Sequence, residues 1–268
     1  MRIYLLPAVF SGEARLELHA KEAHYLMHVL RLKEGAAFAG RDRQGQLWDL
    51  VMQHCGKESC IIACSLAGGT ALATTDALPA YQGPLPELHL YQCFCKGKKM
   101  EQIVRQATEL GAFRIVPVQS RHSVVDLSKK EADELDGKQS RLLAMVKEAV
   151  QQSGSPIVTT VERLMDFSDI AKDWNNRGLA LFFHQGPKET QQSLTEVVST
   201  YAREHGPQAP VAMVIGPEGG LSDDEVSRLV AAGFTQVLLK TNILRAETAA
   251  IYALAAVQVL MVERESLA

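Results

Sequence analysis

Strand-like apolar runs alternate with helical segments from residue 87 to the C-terminus, and this alternation constrains the fold more than any other feature. It predicts a mostly parallel sheet covered by helices, an α/β fold. The predicted strands are 88–94, 114–118, 179–184, 210–215 and 236–239. The predicted helices are 99–110, 140–152, 194–204, one that starts at Ser222, and 247–263.

The connection after strand 210–215 reads Gly-Pro-Glu-Gly-Gly at 216–220. Glycines at 216, 219 and 220 allow positive φ and close approach of a ligand to the backbone. Ser222 and Glu225 have capping-box spacing, which predicts that a helix starts there. A tight turn that only caps a helix explains this loop equally well, because Gly and Pro are common in turns.

The connection after strand 236–239 leads into a long apolar helix with Arg245, Glu247 and Thr248 at its first turn. Glu247 would complement the positive end of any helix dipole. That explanation leaves Arg245 without a role. Because loops at the carboxyl ends of parallel strands form small-molecule sites, the two connections together favour a ligand site over two simple turns.

Composition excludes several classes of protein. The chain has 268 residues, is 47% hydrophobic and carries a net charge of -3, so it does not coat nucleic acid by bulk charge, although basic patches remain possible. Its longest uncharged apolar stretch, 248–262, is too short to span a bilayer, and we expect no membrane association. No G-x-G-x-x-G follows a strand, which disfavours a Rossmann-type enzyme.

The five cysteines form no C-x-x-C pair, and Cys93 and Cys95 are expected to be core or half-buried thiols. No His/Cys spacing suits a metal, so no metal is expected. The odd cysteine count and the absence of a recognisable signal peptide favour a reducing, cytoplasmic setting.

Residues 1–72 are β-rich, with predicted strands at 2–10, 47–52 and 60–66 and one helix at 21–32. Trp48 interrupts clean alternation in the second of these strands. Glycine-punctuated short strands predict a small barrel. Residues 73–86 are small, Pro/Gly-rich and almost uncharged, which predicts a linker.

Seven short motifs in a fixed order carry a family resemblance. They are His28–Gly35 (HVLRLKEG), Lys96-Gly97, Ala107–Gly111 (ATELG), Ser123-Val124-Val125, Gln152-Ser153-Gly154, Ile215–Gly220 (IGPEGG), and Ile243-Leu244-Arg245 with Glu247-Thr248-Ala249. In these, the chain resembles the ribosomal RNA small-subunit methyltransferase E family, uridine-N3 methyltransferases of 16S rRNA in the SPOUT (trefoil-knot) superfamily.

The resemblance implies a PUA-like RNA-binding β-barrel over 1–72, a linker over 73–86 and a SPOUT methyltransferase domain over 87–268 with a deep trefoil knot. It also implies S-adenosylmethionine as cofactor, 16S rRNA or the small ribosomal subunit as partner, and a homodimer. The helix 247–263 is apolar almost all round, so it must be buried on several sides, and the dimer seam would contribute to that burial.

The resemblance further implies which residues form the site. The expected cofactor contacts are Phe183, His184, Ile215, Gly216, Glu218, Gly219, Gly220, Leu239, Ile243, Leu244 and Ala246. Arg245 is the candidate that favours the uracil N3 anion or grips the substrate. Glu247 would accept a proton, orient Arg245 or simply complement the helix dipole, and Glu218 would face the cofactor or cap backbone amides.

RNA binding requires phosphate contacts, and basic residues supply them. The candidates are Arg2, Arg31, Lys33, Arg41, Arg43, Lys96, Arg105 and Arg121, with Lys98 and Lys99 beside them. Ordinary solvated surface charge is the competing explanation for each.

The sequence also departs from the family pattern. Gly, Pro and Arg are expected where Lys240, Thr241 and Asn242 stand, and the remaining departures are Ala246 for Thr, Gln151 and Gln185 for Glu, and His122 and Ser155 for Arg. These differences keep two alternatives open: a divergent SPOUT paralogue that methylates another RNA, and a non-catalytic RNA-binding assembly factor.

Overall fold

The computed structural model describes residues 3–67, 85–123, 132–185 and 192–263. The chain divides into two compact units. The first contains the described residues up to 67 together with Val150–Val158, and the second contains the rest. The inclusion of Val150–Val158 in the first unit is a feature that the sequence did not predict. Arg2 and residues 73–84 of the predicted linker lie outside the described residues.

The first unit contains a five-stranded sheet. Its strands are β1 (Tyr4–Leu5), β2 (Arg15–His19), β3 (Ala37–Arg41), β4 (Leu47–Cys55) and β5 (Ser59–Leu66). Their order is β1-β3-β4-β5-β2, parallel between β1 and β3 and antiparallel elsewhere.

Two predictions for this sheet are wrong in detail. The strand predicted over 2–10 ends at Leu5, because Pro7 cannot donate to a ladder and a turn follows, in which Phe10 N–H donates to the Pro7 carbonyl oxygen. Trp48 does not interrupt the alternation, since it lies with Leu50 and Met52 on the buried face of β4.

The helix predicted over 21–32 is shorter and less regular. α1 (Ala20–His24) passes directly into a π-helical turn at Tyr25–Val29. The chain then leaves the helix, and Arg31 adopts a left-handed backbone with φ of 55°. Non-glycine residues seldom adopt that conformation, and π turns occur often at functional sites.

The second unit is built on a parallel sheet, as the alternating sequence pattern predicted. Its strands are β6 (Leu88–Cys93), β7 (Arg114–Gln119), β8 (Thr160–Val161), β9 (Met165–Asp166), β10 (Leu179–Phe183), β11 (Val211–Ile215) and β12 (Thr235–Val237). Their order is β12-β10-β11-β6-β7-β8, with β9 also paired to β7. The central strands β6 and β11 are buried along their whole length, which explains the continuous apolar sequence of β11 and the mostly apolar sequence of β6, where His89 and Gln92 are also buried.

Helices cover this sheet. They are α2 (Lys99–Glu109), α3 (Ala132–Ser153), α4 (Ile170–Trp174), α5 (Leu194–His205), α6 (Asp223–Ala231) and α7 (Ala246–Val262). α2 buries an apolar stripe of Met100, Ile103, Val104 and Ala107. α3 begins earlier than predicted, because the charged segment before residue 140 is helical. α7 packs against α2 and α5, and within the described ranges no helix is long and apolar enough to cross a bilayer.

Candidate active site

A cavity of about 540 Å³ opens at the carboxyl ends of β10, β11 and β12. These strands are parallel neighbours, so the loops that follow them meet at one edge of the sheet. The volume lies in the range of small-molecule sites. All residues predicted to contact a cofactor line it: Phe183, His184, Ile215, Gly216, Glu218, Gly219, Gly220, Leu239, Ile243, Leu244 and Ala246. The sheet topology therefore brings the predicted set together, and its role in binding stays a prediction.

The glycines of the 216–220 loop have different structural roles. Gly220 has φ of +70°, and a Cβ atom there would meet no protein atom within 4 Å. Gly216 and Gly219 do not have positive φ, contrary to the expectation for all three. A Cβ on Gly216 would lie 3.3 Å from Leu221, and one on Gly219 would lie 3.0 Å from the Cβ of His122. At Gly220, therefore, the space that a Cβ atom would occupy is free of protein atoms.

The capping box after this loop is confirmed. Ser222 is the N-cap of α6, and its Oγ accepts a hydrogen bond from the Glu225 N–H at 3.4 Å. The Ser222 N–H in turn donates to Glu225 Oε2 at 2.8 Å. This pairing satisfies helix N–H groups and ends the glycine loop at a defined residue.

Lys99 connects two carboxylates at the cavity, a feature that the sequence did not predict. Its Nζ lies 2.8 Å from Glu218 Oε1 and 3.5 Å from Glu247 Oε2. The Lys96 N–H also donates to Glu218 Oε1, at 3.2 Å. Glu218 therefore both lines the cavity and accepts from a backbone amide, so both of its predicted roles are compatible with the structure.

Glu247 contacts Lys99, and the described part of the chain contains no hydrogen bond or ion pair between Glu247 and Arg245. The two side chains therefore form no polar contact in this structure, and the role of Glu247 in orienting Arg245 stays a prediction. The signal that could have identified Lys99 is its place at the first position of α2, just after β6, in another strand-to-helix connection.

Electrostatics keep the Lys99–Glu218 pair charged. Partial burial would raise the pKa of Glu218, but hydrogen bonds from Lys99 and from backbone N–H groups outweigh it and lower that pKa. The hydrogen bond to Glu218 raises the pKa of Lys99. His184 differs, because burial lowers its pKa against the opposing effect of Asp223.

Arg245 is the N-cap residue of α7, with extended backbone angles, and it lines the cavity. Its side chain is exposed, and within the described ranges its guanidinium forms no hydrogen bond or ion pair. A guanidinium in this position is available to a ligand or substrate.

The structure distinguishes exposed from buried residues among the predicted phosphate contacts. Arg31, Lys33, Arg43, Lys96, Arg105 and Arg121 are exposed. Arg41 is only 2% exposed and donates from Nη1 to the Gly45 carbonyl oxygen at 2.7 Å, so its prediction as a phosphate contact is wrong. The guanidinium organises a turn instead. Within the described residues no group of three or more His, Cys, Asp or Glu side chains could hold a metal ion.

Comparison with known proteins shows that the chain contains an RNA methyltransferase domain. A family model described as an RNA methyltransferase domain matches residues 82–258. The chain is 30% identical over 250 residues to the ribosomal RNA small subunit methyltransferase E of Synechocystis, which covers 93% of this chain and 74% of that protein. It is 27% identical over 237 residues to the enzyme of the same name in Bacillus subtilis, covering 88% and 87%. The chain belongs to the ribosomal RNA small subunit methyltransferase E family, which confirms the resemblance.

Solved structures share its fold. A ribosomal RNA small subunit methyltransferase E from Neisseria gonorrhoeae, bound to S-adenosyl methionine, superposes with a TM-score of 0.79 at 22% identity, covering 97% of this chain and 98% of that one. A methyltransferase from Legionella pneumophila with bound cofactor gives 0.77 at 23% identity, covering 96% and 98%.

Proposed function

We propose that the protein is an S-adenosylmethionine-dependent methyltransferase that modifies N3 of a specific uridine in 16S rRNA. The observation that carries this proposal is the convergence of three strand-end loops on one cavity in a member of an rRNA methyltransferase family. Two relatives of the same fold are described with S-adenosylmethionine bound, which supports the choice of cofactor.

The residues of the cavity fit this cofactor. Apolar side chains of Ile215, Leu239 and Leu244 suit an adenine ring, and the open side of Gly220 lets a ligand reach backbone groups. S-adenosylmethionine supplies an electrophilic methyl group when bound.

The chain's own residues would hold the substrate and accept its N3 proton. The N3 proton of uridine is weakly acidic and must leave before or during transfer. We assign Arg245 to favour the N3 anion, because its exposed guanidinium faces the same cavity and a nearby cation stabilises the charged form. Glu247 is the candidate proton acceptor. Its side chain is only 11% exposed, and Lys99 holds its carboxylate.

The first unit is proposed to be the PUA-like module that grips RNA, and the second is proposed to contain the trefoil knot of the SPOUT superfamily. Arg31 supports the RNA assignment. It follows the π-helical turn, its own backbone is left-handed, and its side chain is exposed to solvent. The substrate would be met in the cytoplasm, as 16S rRNA or as the small subunit.

A homodimer through α7 is part of the proposal. The helix carries two exposed large apolar side chains, Tyr252 at 47% and Val259 at 44%. An apolar helix face open to solvent is typical of an interaction surface. Light scattering at micromolar concentration tests this, and a monomer with full methyltransferase activity would exclude a dimer requirement.

The decisive experiment is mass spectrometry of rRNA nucleosides from a strain that lacks the gene, with and without complementation. Loss and recovery of N3-methyluridine in 16S rRNA is expected. Loss of a different methylated nucleoside would instead support the divergent paralogue. No change, together with no heat of S-adenosylmethionine binding in calorimetry, would support the non-catalytic assembly factor.

Arg245→Ala separates catalysis from binding. Its single-turnover rate at saturating RNA should fall roughly tenfold or more if Arg245 stabilises the N3 anion. An unchanged saturated rate with weaker RNA binding would make Arg245 a substrate clamp.

A further inference from the structure

The turn Ser120–Ser123 lies directly against the glycine loop of the cavity. His122 Nδ1 is 3.2 Å from the Gly220 carbonyl oxygen, a hydrogen-bond distance. Gly219 packs so closely under His122 that an added Cβ would lie 3.0 Å from the His122 Cβ. A shift of this turn would therefore move the backbone at Gly219 and Gly220.

Glu225 holds this turn in place. Its Oε1 accepts a hydrogen bond from the Arg121 N–H at 2.8 Å. Its Oε2 accepts from the Ser222 N–H at 2.8 Å and from Ser222 Oγ at 3.0 Å. The residue is only 5% exposed, and three donors together with the helix N-terminus compensate its buried charge.

A capping box uses only one of these oxygens. Oε2 is sufficient for the reciprocal pairing with Ser222, and a glutamine at this position can do the same. Oε1 forms a second link, to a turn 104 residues earlier in the chain. The helix does not need this link, but the relative position of turn and loop depends on it.

We infer that Glu225 is a positioning residue for cofactor binding, which couples the Ser120–Ser123 turn to the glycine loop. This inference rests on the proposed function. The Arg121 and His122 side chains are both exposed to solvent, where RNA would reach them. RNA held there would order the turn and, through Glu225 and His122, the loop at Gly219 and Gly220. Linkage then requires that cofactor and RNA tighten each other's binding.

Two variants of the full-length protein separate the two oxygens. In Glu225→Gln the amide oxygen can keep the capping box with Ser222. The amide NH₂ group then faces the Arg121 N–H, and because both groups are donors, no hydrogen bond forms between them. The Kd for S-adenosylmethionine, measured by calorimetry, should rise about tenfold, with kcat retained at saturating cofactor. The melting temperature should fall by only several degrees, because the Arg121 N–H loses its acceptor while the capping box remains. Ser222→Ala keeps the Oε1 link and loses the hydroxyl cap, so it should lower the melting temperature with Kd within about twofold of wild type.

The RNA readout tests coupling, which a purely structural role would not affect. Small-subunit RNA should tighten the Kd of the wild-type protein for the cofactor at least threefold, and Glu225→Gln should abolish this tightening. His122→Ala, a surface change, provides an independent arm if Glu225→Gln does not fold, and should weaken cofactor binding severalfold.

Wild-type cofactor affinity in both Glu225→Gln and His122→Ala would overturn the inference, as would a wild-type Kd that does not respond to RNA. Wild-type protein that binds no S-adenosylmethionine would overturn the proposed function itself. Cofactor binding by the wild-type protein is therefore measured before any variant is compared with it.

Discussion

Gly220→Ala should weaken S-adenosylmethionine binding at least tenfold, and Gly233→Ala should not change it. Both glycines have positive φ, +70° and +83°, and at both an added Cβ would meet no protein atom within 4 Å. The two substitutions therefore impose similar backbone strain without a steric clash. Only Gly220 lines the cavity, whereas Gly233 lies between α6 and β12.

The magnitudes follow from these conformations. A left-handed alanine costs about 1–2 kcal/mol, so each variant should lose that much folding free energy. For a domain of this size, 1 kcal/mol corresponds to a change of about 2–4 °C in melting temperature, so both variants should melt about 2–8 °C lower. A tenfold weaker Kd removes about 1.4 kcal/mol of ligand-induced stabilisation at saturating cofactor, which adds a further loss of about 3–6 °C for Gly220→Ala alone.

Thermal unfolding with and without S-adenosylmethionine, followed by calorimetry, measures both terms. Equal ligand-induced shifts in the two variants would show that the Gly216–Gly220 segment is only a turn. A lower melting temperature of Gly220→Ala without ligand, but wild-type Kd, would show that its left-handed backbone stabilises the fold and not the site.

Four further outcomes are expected. Arg31→Ala should reduce RNA affinity severalfold and the salt slope by about one unit without changing cofactor Kd, and an unaltered slope in filter binding would remove Arg31 from the phosphate contacts. Lys99→Met should raise the pKa of Glu218. Lys99 holds the pKa of Glu218 below its ordinary value of 4.5. The pair therefore stabilises the protein above about pH 4.5, and this stabilisation is lost as the pH falls through the pKa of Glu218 in the folded protein. A Glu218 titration, followed by carboxyl NMR, that the substitution leaves unchanged would contradict this. Leu254→Ala, at a fully buried position of α7, should lower the free energy of unfolding by about 2–5 kcal/mol in denaturant titrations, whereas Tyr252→Ser should mainly weaken self-association in light scattering.

Short-range patterns predicted the second unit well. Strands β6, β7, β10 and β11 are largely buried, so each is a mostly apolar run between turn residues, whereas the two-residue strands β8 and β9 were not predicted. The Ser222–Glu225 spacing correctly placed the start of α6. The first unit was predicted less well. β2 is largely polar and exposed, and β3 contains Gly40, so each becomes a strand only through its pairing with neighbours. The π-helical turn at Tyr25–Val29 has the same apolar spacing as a helix and leaves no separate signal.

By itself, the sequence predicted a site at the connections after β11 and β12, because parallel strands place their carboxyl-end loops at one edge of the sheet, and the family resemblance added the connection after β10. Only the tertiary structure decided which side chains support those loops. Lys99 meets Glu218 across 119 residues, and Arg121 meets Glu225 across 104. Likewise, only its burial and its hydrogen bond to the Gly45 carbonyl oxygen show that Arg41 organises a turn. Local patterns report periodicity and capping over a few residues, whereas a contact between distant side chains exists only once the sheet has brought their strands together.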